Sequence, residues 1–163
     1  MNQVTPALFK RYPTAAALAR ATTDDLEPQI QSTGFFRNKA KAIRGMAQAL
    51  VEKHGGKVPK SMDELVELAG VGRKTANVVL GNAFGQHVGI VVDTHVGRLS
   101  QRLGLTKQSA PEKIELDLMP LFPKEDWCLL SHLLIFHGRR ICVARLPKCG
   151  ACVLSDICPS SRV

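Results

Sequence analysis

The stretch LAGVGRKTA, residues 68–76, decides the fold of this 163-residue chain. Its pattern predicts a helix that ends near Ala69, a turn through two glycines and a second helix that begins at about Arg73. Gly70 and Gly72 stand one residue apart, so the backbone can adopt positive φ angles and approach a neighbour closely. The stretch is therefore predicted to form a helix-hairpin-helix, and a plain helix corner with a glycine cap is the alternative.

The start of the second predicted helix is a candidate binding site for phosphate. The first N–H groups of a helix have no carbonyl partner within it, so they can donate to a phosphate oxygen, and Lys74 adds positive charge. Contacts to the phosphate backbone give affinity without a preference for base sequence. We therefore expect a nucleic-acid backbone to bind the residues of the hairpin, namely Gly70, Val71, Gly72, Arg73 and Thr75.

The composition also favours a polyanionic partner. Lys and Arg number 22 against 14 Asp and Glu, which gives a net charge of +8 and a pI near 9.5. Nucleic acid is the favoured partner, and an anionic membrane surface comes second. With 6 Phe, 1 Trp and 1 Tyr, the chain has too few aromatic residues for a wide base-stacking platform. It has no apolar run near the ~18 residues that span a bilayer and no secretory signal, so we expect a cytoplasmic protein without a membrane partner.

The hydrophobic pattern is helical along nearly the whole chain. The predicted fold class is therefore all-α, with short loops and a metal-binding loop at the C-terminal end. The predicted elements are a helix at 35–54, helix starts at capping boxes 61–64 and 109–112, apolar helix faces at 96–103 and 127–137, and an extended connection at 88–92.

Four of the five cysteines crowd the C-terminal end and predict a metal centre. Cys142, Cys149, Cys152 and Cys158 lie within 17 residues, and soft sulfur ligands select zinc or an iron–sulfur cluster. Zinc sites usually contain two C-x2-C pairs, whereas only Cys149 and Cys152 form one here. A single wrapped loop therefore favours a [4Fe–4S] cluster, with a four-cysteine zinc site as the alternative. Cys128 lies in a helical apolar pattern and is predicted to be a buried core thiol.

Lys74 and Asp93 are the candidate catalytic residues. A neutral amine can attack an electrophilic sugar carbon and form a Schiff base, and the helix start, Arg73 and partial burial would favour the neutral amine. A solvated lysine that binds phosphate is the alternative. Asp93 is expected to cap the helix that follows it, and its carboxylate can also assist proton transfer or stabilise positive charge. For His95, a structural hydrogen bond is preferred to a role as catalytic base.

Three motifs occur together along the chain. They are GVGRKTANVV at residues 70–79, VDTHV at 92–96 and the cysteine series that ends at Cys158. In order and separation they resemble the endonuclease III family of DNA glycosylases, and the similarity runs through nearly all of the chain. The resemblance implies a helix-hairpin-helix DNA glycosylase fold, in which a helical bundle domain is joined to a C-terminal iron–sulfur cluster loop. By motif position, Lys74 matches the family's Schiff-base lysine and Asp93 its essential aspartate.

The resemblance implies a bifunctional DNA glycosylase and AP lyase of base excision repair, which acts on oxidised pyrimidines or abasic sites in double-stranded DNA. The damaged base would be flipped into a cleft between two helical domains, for which we expect residues 1–88 and 89–163. The cysteine loop would present Arg145 and Lys148 to DNA. Related adenine glycosylases lack a lysine at the position of Lys74. The chain gives no sign of an obligate oligomer, so a monomer is expected.

Two departures from the family pattern are expected to matter. Ala69 replaces the proline that usually precedes the hairpin glycine, which should loosen the turn without removing activity. The chain begins at a point that resembles the middle of an early family helix, so the N-terminal segment is short. We expect exposed apolar faces, lower stability and weaker glycosylase action from this difference. A DNA-binding remnant that is non-catalytic or retains lyase activity only is therefore the alternative function, and a zinc-stabilised nucleic-acid adaptor is a third.

Overall fold

The computed structural model describes residues 3–163, and the regular elements within that range are all helices, which confirms the predicted all-α class. The expectation that the chain opens within a helix involves Met1 and Asn2, which lie outside the described residues. None of the described helices is long and apolar enough to cross a membrane. The α-helices are α1 (Thr5–Arg11), α2 (Ala15–Arg20), α3 (Thr23–Ile30), α4 (Phe36–His54), α5 (Met62–Val66), α6 (Arg73–Phe84), α7 (Thr94–Arg102), α8 (Pro111–Leu118) and α9 (Trp127–Arg140).

The chain divides into two compact units, Met1–Ala76 and Asn77–Val163, and the boundary between them lies within α6. The division into domains at residue 88 remains a prediction. In the first unit, α2 and α3 pack against the long helix α4. Apolar side chains from α1 to α4 and from the residue after α2 form its core, the buried members being Leu8, Leu18, Ala21, Leu26, Ile30, Ala40 and Ala47.

The second unit is built around the packing of α7 against α9. Its core includes residues of the connection before α7 as well as helix residues, the buried members being Ile90, Val92, Val96, Leu99, Ile114, Leu118, Trp127 and Leu134. Residues 88–92 form no strand, as predicted, and Gly89 lies in a bend. The C-terminal residues after α9 contain two short 3₁₀ turns, at Cys149–Ala151 and Ser155–Ile157, which bend the chain into a tight loop.

Local sequence signals predicted most helix boundaries, but two were wrong. α4 lies where the pattern placed it, and Ser61 caps α5 by accepting from the Glu64 N–H at 3.3 Å. Ser109, however, does not cap α8: the N-cap residue is Ala110, and no side chain caps this helix. The proline in the first turn is enough to begin it. α5 ends at Val66 rather than near Ala69, because tighter three-residue turns follow it.

Candidate active site

The hairpin between α5 and α6 depends on Gly70. This residue has φ +78°, in the left-handed region that L side chains rarely adopt, and a Cβ here would lie 2.8 Å from the Cβ of Ala42. The Val71 N–H donates to the carbonyl oxygen of Leu68 at 3.0 Å and closes the turn. Gly72 has open space around it, so a ligand can approach its backbone.

Helix α6 begins at Arg73, where the sequence placed it. The Ala76 N–H donates to the carbonyl oxygen of Gly72 at 3.0 Å, which is the first four-residue bond of the helix. The amides before Ala76 belong to the positive end of the helix. Lys74 and Thr75 are exposed beside them. The partial burial that was expected to favour a neutral Lys74 is therefore absent in this structure, whereas the expected position in the first helical turn is present.

Asp93 is the N-cap of α7. Its Oδ1 accepts hydrogen bonds from the backbone N–H groups of His95 at 2.8 Å and Val96 at 2.9 Å. Within residues 3–163, Oδ2 of the same carboxylate accepts no hydrogen bond, and the side chain is half-buried. The capping role and the chemical role are thus compatible, since one oxygen holds the carboxylate while the other is available. Lys74 lies in the first unit and Asp93 in the second, so their joint action on one nucleotide is a proposal.

His95 makes a structural hydrogen bond, the preferred interpretation of this residue. Its Nδ1 lies 3.2 Å from Nη2 of Arg98. Since a guanidinium can only donate, Nδ1 of His95 is the acceptor in this contact. Arg98 Nη2 also donates to the carbonyl oxygens of Gly138 at 2.8 Å and Cys142 at 2.9 Å. Arg98 thereby joins α7 to the end of α9 and to the cysteine loop, a role that its spacing in the sequence did not indicate.

The four C-terminal cysteines line one cavity. Cys142, Cys149, Cys152 and Cys158 are all half-buried and form no disulfide. Among the described residues, no three His, Cys, Asp or Glu side chains converge closely enough to hold a single metal ion. Four soft thiolate donors that line one cavity are the ligand set of an iron–sulfur cluster, and these residues therefore fit that group.

Hydrogen-bond donors surround the cysteine sulfurs. Arg102 Nη1 donates to Cys142 Sγ at 3.2 Å, and the Leu154 N–H donates to Cys152 Sγ at 3.4 Å. The ring of His137 also contacts Cys152, with 3.4 Å between Nε2 and Sγ. Such contacts stabilise thiolates and tune iron–sulfur centres. Sequence spacing did not indicate the contact of His137, because it joins two residues that meet only after the loop has folded.

Two cationic side chains of the cysteine loop are exposed to solvent. Arg145 and Lys148 are both exposed between the first two cysteines. Arg102 supports this segment from α7, since it donates to the carbonyl oxygens of Val143 at 2.9 Å and Ala144 at 2.7 Å. The loop can therefore present its charges on a fixed backbone.

Phe35 is a further candidate that the sequence reasoning missed. It precedes α4, its side chain is 86% exposed, and its φ of +49° makes it the one non-glycine residue with positive φ among those described. A backbone conformation that non-glycine residues rarely adopt, together with an exposed aromatic ring, makes Phe35 a candidate for a functional contact. The available signal was the Gly34-Phe35 pair directly before the long helix.

Comparison with known proteins identifies the family. Residues 1–124 match the HhH-GPD superfamily of base excision DNA repair proteins, and residues 142–158 match the iron–sulfur binding domain of endonuclease III. Endonuclease III of Synechocystis is 57% identical over 162 residues, which cover 99% of this chain and 74% of the relative. The chain belongs to the endonuclease III family.

Solved structures of endonuclease III share this fold. A non-covalent endonuclease III–DNA complex matches with a TM-score of 0.92 and 43% identity, over 98% of this chain and 74% of that one. A trapped covalent endonuclease III–DNA intermediate also matches with a TM-score of 0.92 and 43% identity, over 98% and 75% of the two chains. The predicted helix-hairpin-helix glycosylase fold is thereby confirmed.

Membership of the endonuclease III family confirms the predicted enzyme class, a base excision repair DNA glycosylase with AP lyase activity. DNA binding is confirmed with it, and the alternative of a DNA-binding remnant is not favoured. The match to the iron–sulfur domain confirms the [4Fe–4S] cofactor and removes the zinc-stabilised adaptor. The roles of the individual site residues remain predictions.

Proposed function

We propose that this endonuclease III family member removes oxidised pyrimidines from duplex DNA and cleaves the resulting abasic site, with Lys74 as the nucleophile and Asp93 as its partner. The observation that carries the proposal is the position of Lys74, exposed in the first turn of α6 directly after an open glycine hairpin. The similarity to an endonuclease III trapped in a covalent intermediate with DNA supports this assignment.

The proposed chemistry begins at the sugar. The neutral amine of Lys74 attacks C1′, a C–N bond forms, and the bond to the damaged base breaks as the base leaves with a proton. Loss of the ring C–O bond then yields a Schiff base, which acidifies the proton on C2′. Removal of that proton breaks the C3′–O bond, and the strand is cut 3′ to the lesion by β-elimination.

Asp93 supplies the carboxylate that takes part in these reaction steps. Its capping bonds through Oδ1 hold it rigidly at the start of α7, while Oδ2 can accept a proton or face positive charge on the sugar. A group that is held before substrate arrives does not have to reorganise during the reaction.

DNA is held at two places in this proposal. Backbone amides of the hairpin bind phosphate through Gly70, Val71, Gly72, Arg73 and Thr75, and the cysteine loop adds the charges of Arg145 and Lys148. Cys142, Cys149, Cys152 and Cys158 would hold the [4Fe–4S] cluster, which would cross-link the loop and keep it in shape. None of the proposed covalent steps requires it.

We also propose that the protein acts as a monomer in the bacterial cytoplasm. One chain contains all of the proposed site residues, which favours a monomer. The relatives of Synechocystis and Bacillus subtilis are bacterial, and bacterial chromosomal DNA lies in the cytoplasm.

Borohydride trapping tests the proposed nucleophile. Purified protein is incubated with a duplex that contains one abasic site, and borohydride reduces any Schiff base to a stable covalent adduct. We expect an adduct with the wild type and none with Lys74→Ala. Lys113→Ala is the matched control, because Lys113 is also an exposed lysine in the first turn of a helix. An adduct of equal yield with Lys74→Ala would refute the assignment.

A further inference from the structure

The connection between α6 and α7, residues 85–93, ends at Asp93 and determines its position. It has no regular secondary structure, yet Ile90, Val91 and Val92 are all buried. Connections usually run over the surface, because buried backbone N–H and C=O groups need hydrogen-bond partners. A buried connection must therefore be held by specific contacts, and two such contacts lie within five residues of Asp93.

Ser131 of α9 makes the first contact. The Val91 N–H donates to Ser131 Oγ at 3.0 Å, and the same hydroxyl donates to the carbonyl oxygen of Trp127 at 3.0 Å. Ser131 is 2% exposed, so water cannot replace it. Its hydroxyl accepts on one side and donates on the other, which fixes the backbone of the connection to α9 two residues before Asp93.

Gly89 makes the second contact. Below it lies a buried pair in which Asn77 Nδ2 donates to Glu115 Oε1 at 2.9 Å. A Cβ on Gly89 would collide with Glu115 Oε1 and would lie 2.8 Å from Asn77 Nδ2. The connection therefore packs directly onto this pair, and a side chain at Gly89 would push it away.

We propose that Ser131 is a positioning residue, which sets the place of the Asp93 carboxylate relative to the sugar. The Asn77–Glu115 pair supports the same connection. The inference rests on the proposed role of Asp93. Fixed points at Gly89 and Val91 leave Val92 as the single residue between the last anchor and Asp93. A displacement of the backbone at Val91 therefore moves the carboxylate, and a misplacement of about 1 Å can cost on the order of 100-fold in rate.

The test compares two substitutions that each remove one buried hydroxyl. Ser131→Ala removes the partner of Val91, whereas Ser100→Ala removes a hydroxyl that has no hydrogen-bond partner in residues 3–163. The single-turnover rate of β-elimination on an abasic duplex and the Kd for a non-cleavable duplex are both measured. We expect Ser131→Ala to lower the rate by roughly 10- to 100-fold with little change in Kd, and Ser100→Ala to change neither. Ser131→Thr keeps the hydroxyl and should restore most of the rate.

Equal elimination rates for Ser131→Ala and Ser100→Ala would overturn the inference. It would also be overturned if Ser131→Ala weakened DNA binding but left the elimination rate unchanged. If Ser131→Ala does not fold, the same elimination rate is measured for Gly89→Ala, which should also lower it. Gly97→Ala is the control for this variant, because a Cβ at Gly97 meets only an ordinary contact at 3.4 Å. Wild-type protein that forms no elimination product would instead overturn the proposed function. Hydrogen exchange at the Val91 amide still tests the contact in that case, since fast exchange in the wild type contradicts it.

Discussion

The hairpin requires a glycine at position 70. The positive φ angle and the nearness of Ala42 are independent reasons for a glycine at this position. Gly72 has no positive φ angle and has open space around it, so the turn itself does not require a glycine there. In the proposed function, this glycine lets a phosphate approach the backbone. Two glycines that look equivalent in the sequence thus differ in the structure: the turn requires Gly70, whereas the backbone of Gly72 is open to a ligand.

Substitution at the two glycines separates these roles. We expect Gly70→Ala to lower the free energy of unfolding by about 1–3 kcal/mol, because alanine is strained at this φ angle and contacts Ala42 too closely. Gly72→Ala should leave the free energy of unfolding nearly unchanged but weaken DNA binding, since its Cβ occupies the space for phosphate. Denaturant unfolding and DNA affinity are measured for both variants. A larger loss of stability in Gly72→Ala would contradict this division.

At the scale of elements, α7 joins the parts of the second unit that the proposed function needs. Asp93 caps its start, Arg98 contacts Gly138 and Cys142, and Arg102 contacts the cysteine loop. Because both the Asp93 carboxylate and the cysteine loop are bound to α7, their relative position is fixed by this helix. The first unit has a comparable local device in α3, where Thr22 and Asp25 form a capping box.

The capping box of α3 makes the stability of the first unit depend on pH. The Thr22 hydroxyl, at 2.6 Å, and the Thr22 N–H donate to Asp25 and lower the pKa of this carboxyl below its ordinary value. The contribution is therefore present above the unfolded-state pKa and is lost as the pH falls through the folded-state pKa. Asp25→Asn should reduce the free energy of unfolding at neutral pH, and this difference from the wild type should shrink in acid.

Denaturant unfolding of both proteins at neutral and acid pH measures this effect. Asp24→Asn is the matched control, because Asp24 lies in the same helical turn and is also exposed. A difference between Asp25→Asn and the wild type that stays constant with pH would show that the capping box contributes no pH dependence.

At the scale of the whole molecule, the excess of positive charge favours binding to any DNA sequence. The net charge of +8 attracts phosphate, and each phosphate contact releases bound counterions. The logarithm of the affinity should then fall linearly with the logarithm of the salt concentration. When bound, the cluster would add negative charge beside the exposed cations of the cysteine loop.

Measuring DNA affinity as a function of salt concentration tests the phosphate contacts of the cysteine loop. We expect Arg145→Ala and Lys148→Ala each to reduce the slope of this salt dependence by about 0.9, because each removes one phosphate contact. The loss should be the same for two unrelated duplex sequences. Lys113→Ala is the control and should leave the slope unchanged. An unchanged slope in both loop variants would place the DNA contacts elsewhere.

Much of this protein follows from the sequence by itself. The helical period, the glycine hairpin, the cap at Asp93 and the crowded cysteines are local patterns, and neighbouring residues determine local backbone geometry directly. These patterns were sufficient for the all-α fold, the position of Lys74 in the first turn of α6 and the choice of a cluster over zinc. The capping prediction at Ser109 was wrong because a local pattern does not say which of two neighbouring residues will take the cap.

Only the tertiary structure decided which distant residues support the site. The bonds from Arg98 to Cys142 and from Val91 to Ser131 span 44 and 40 residues, and no spacing rule connects their partners. The exposure of Lys74 and of Phe35 likewise depended on what packs nearby. Hydrogen bonds between separate elements form when helices dock, so their partners are chosen by the packing of whole helices, which the local pattern around a single residue does not encode.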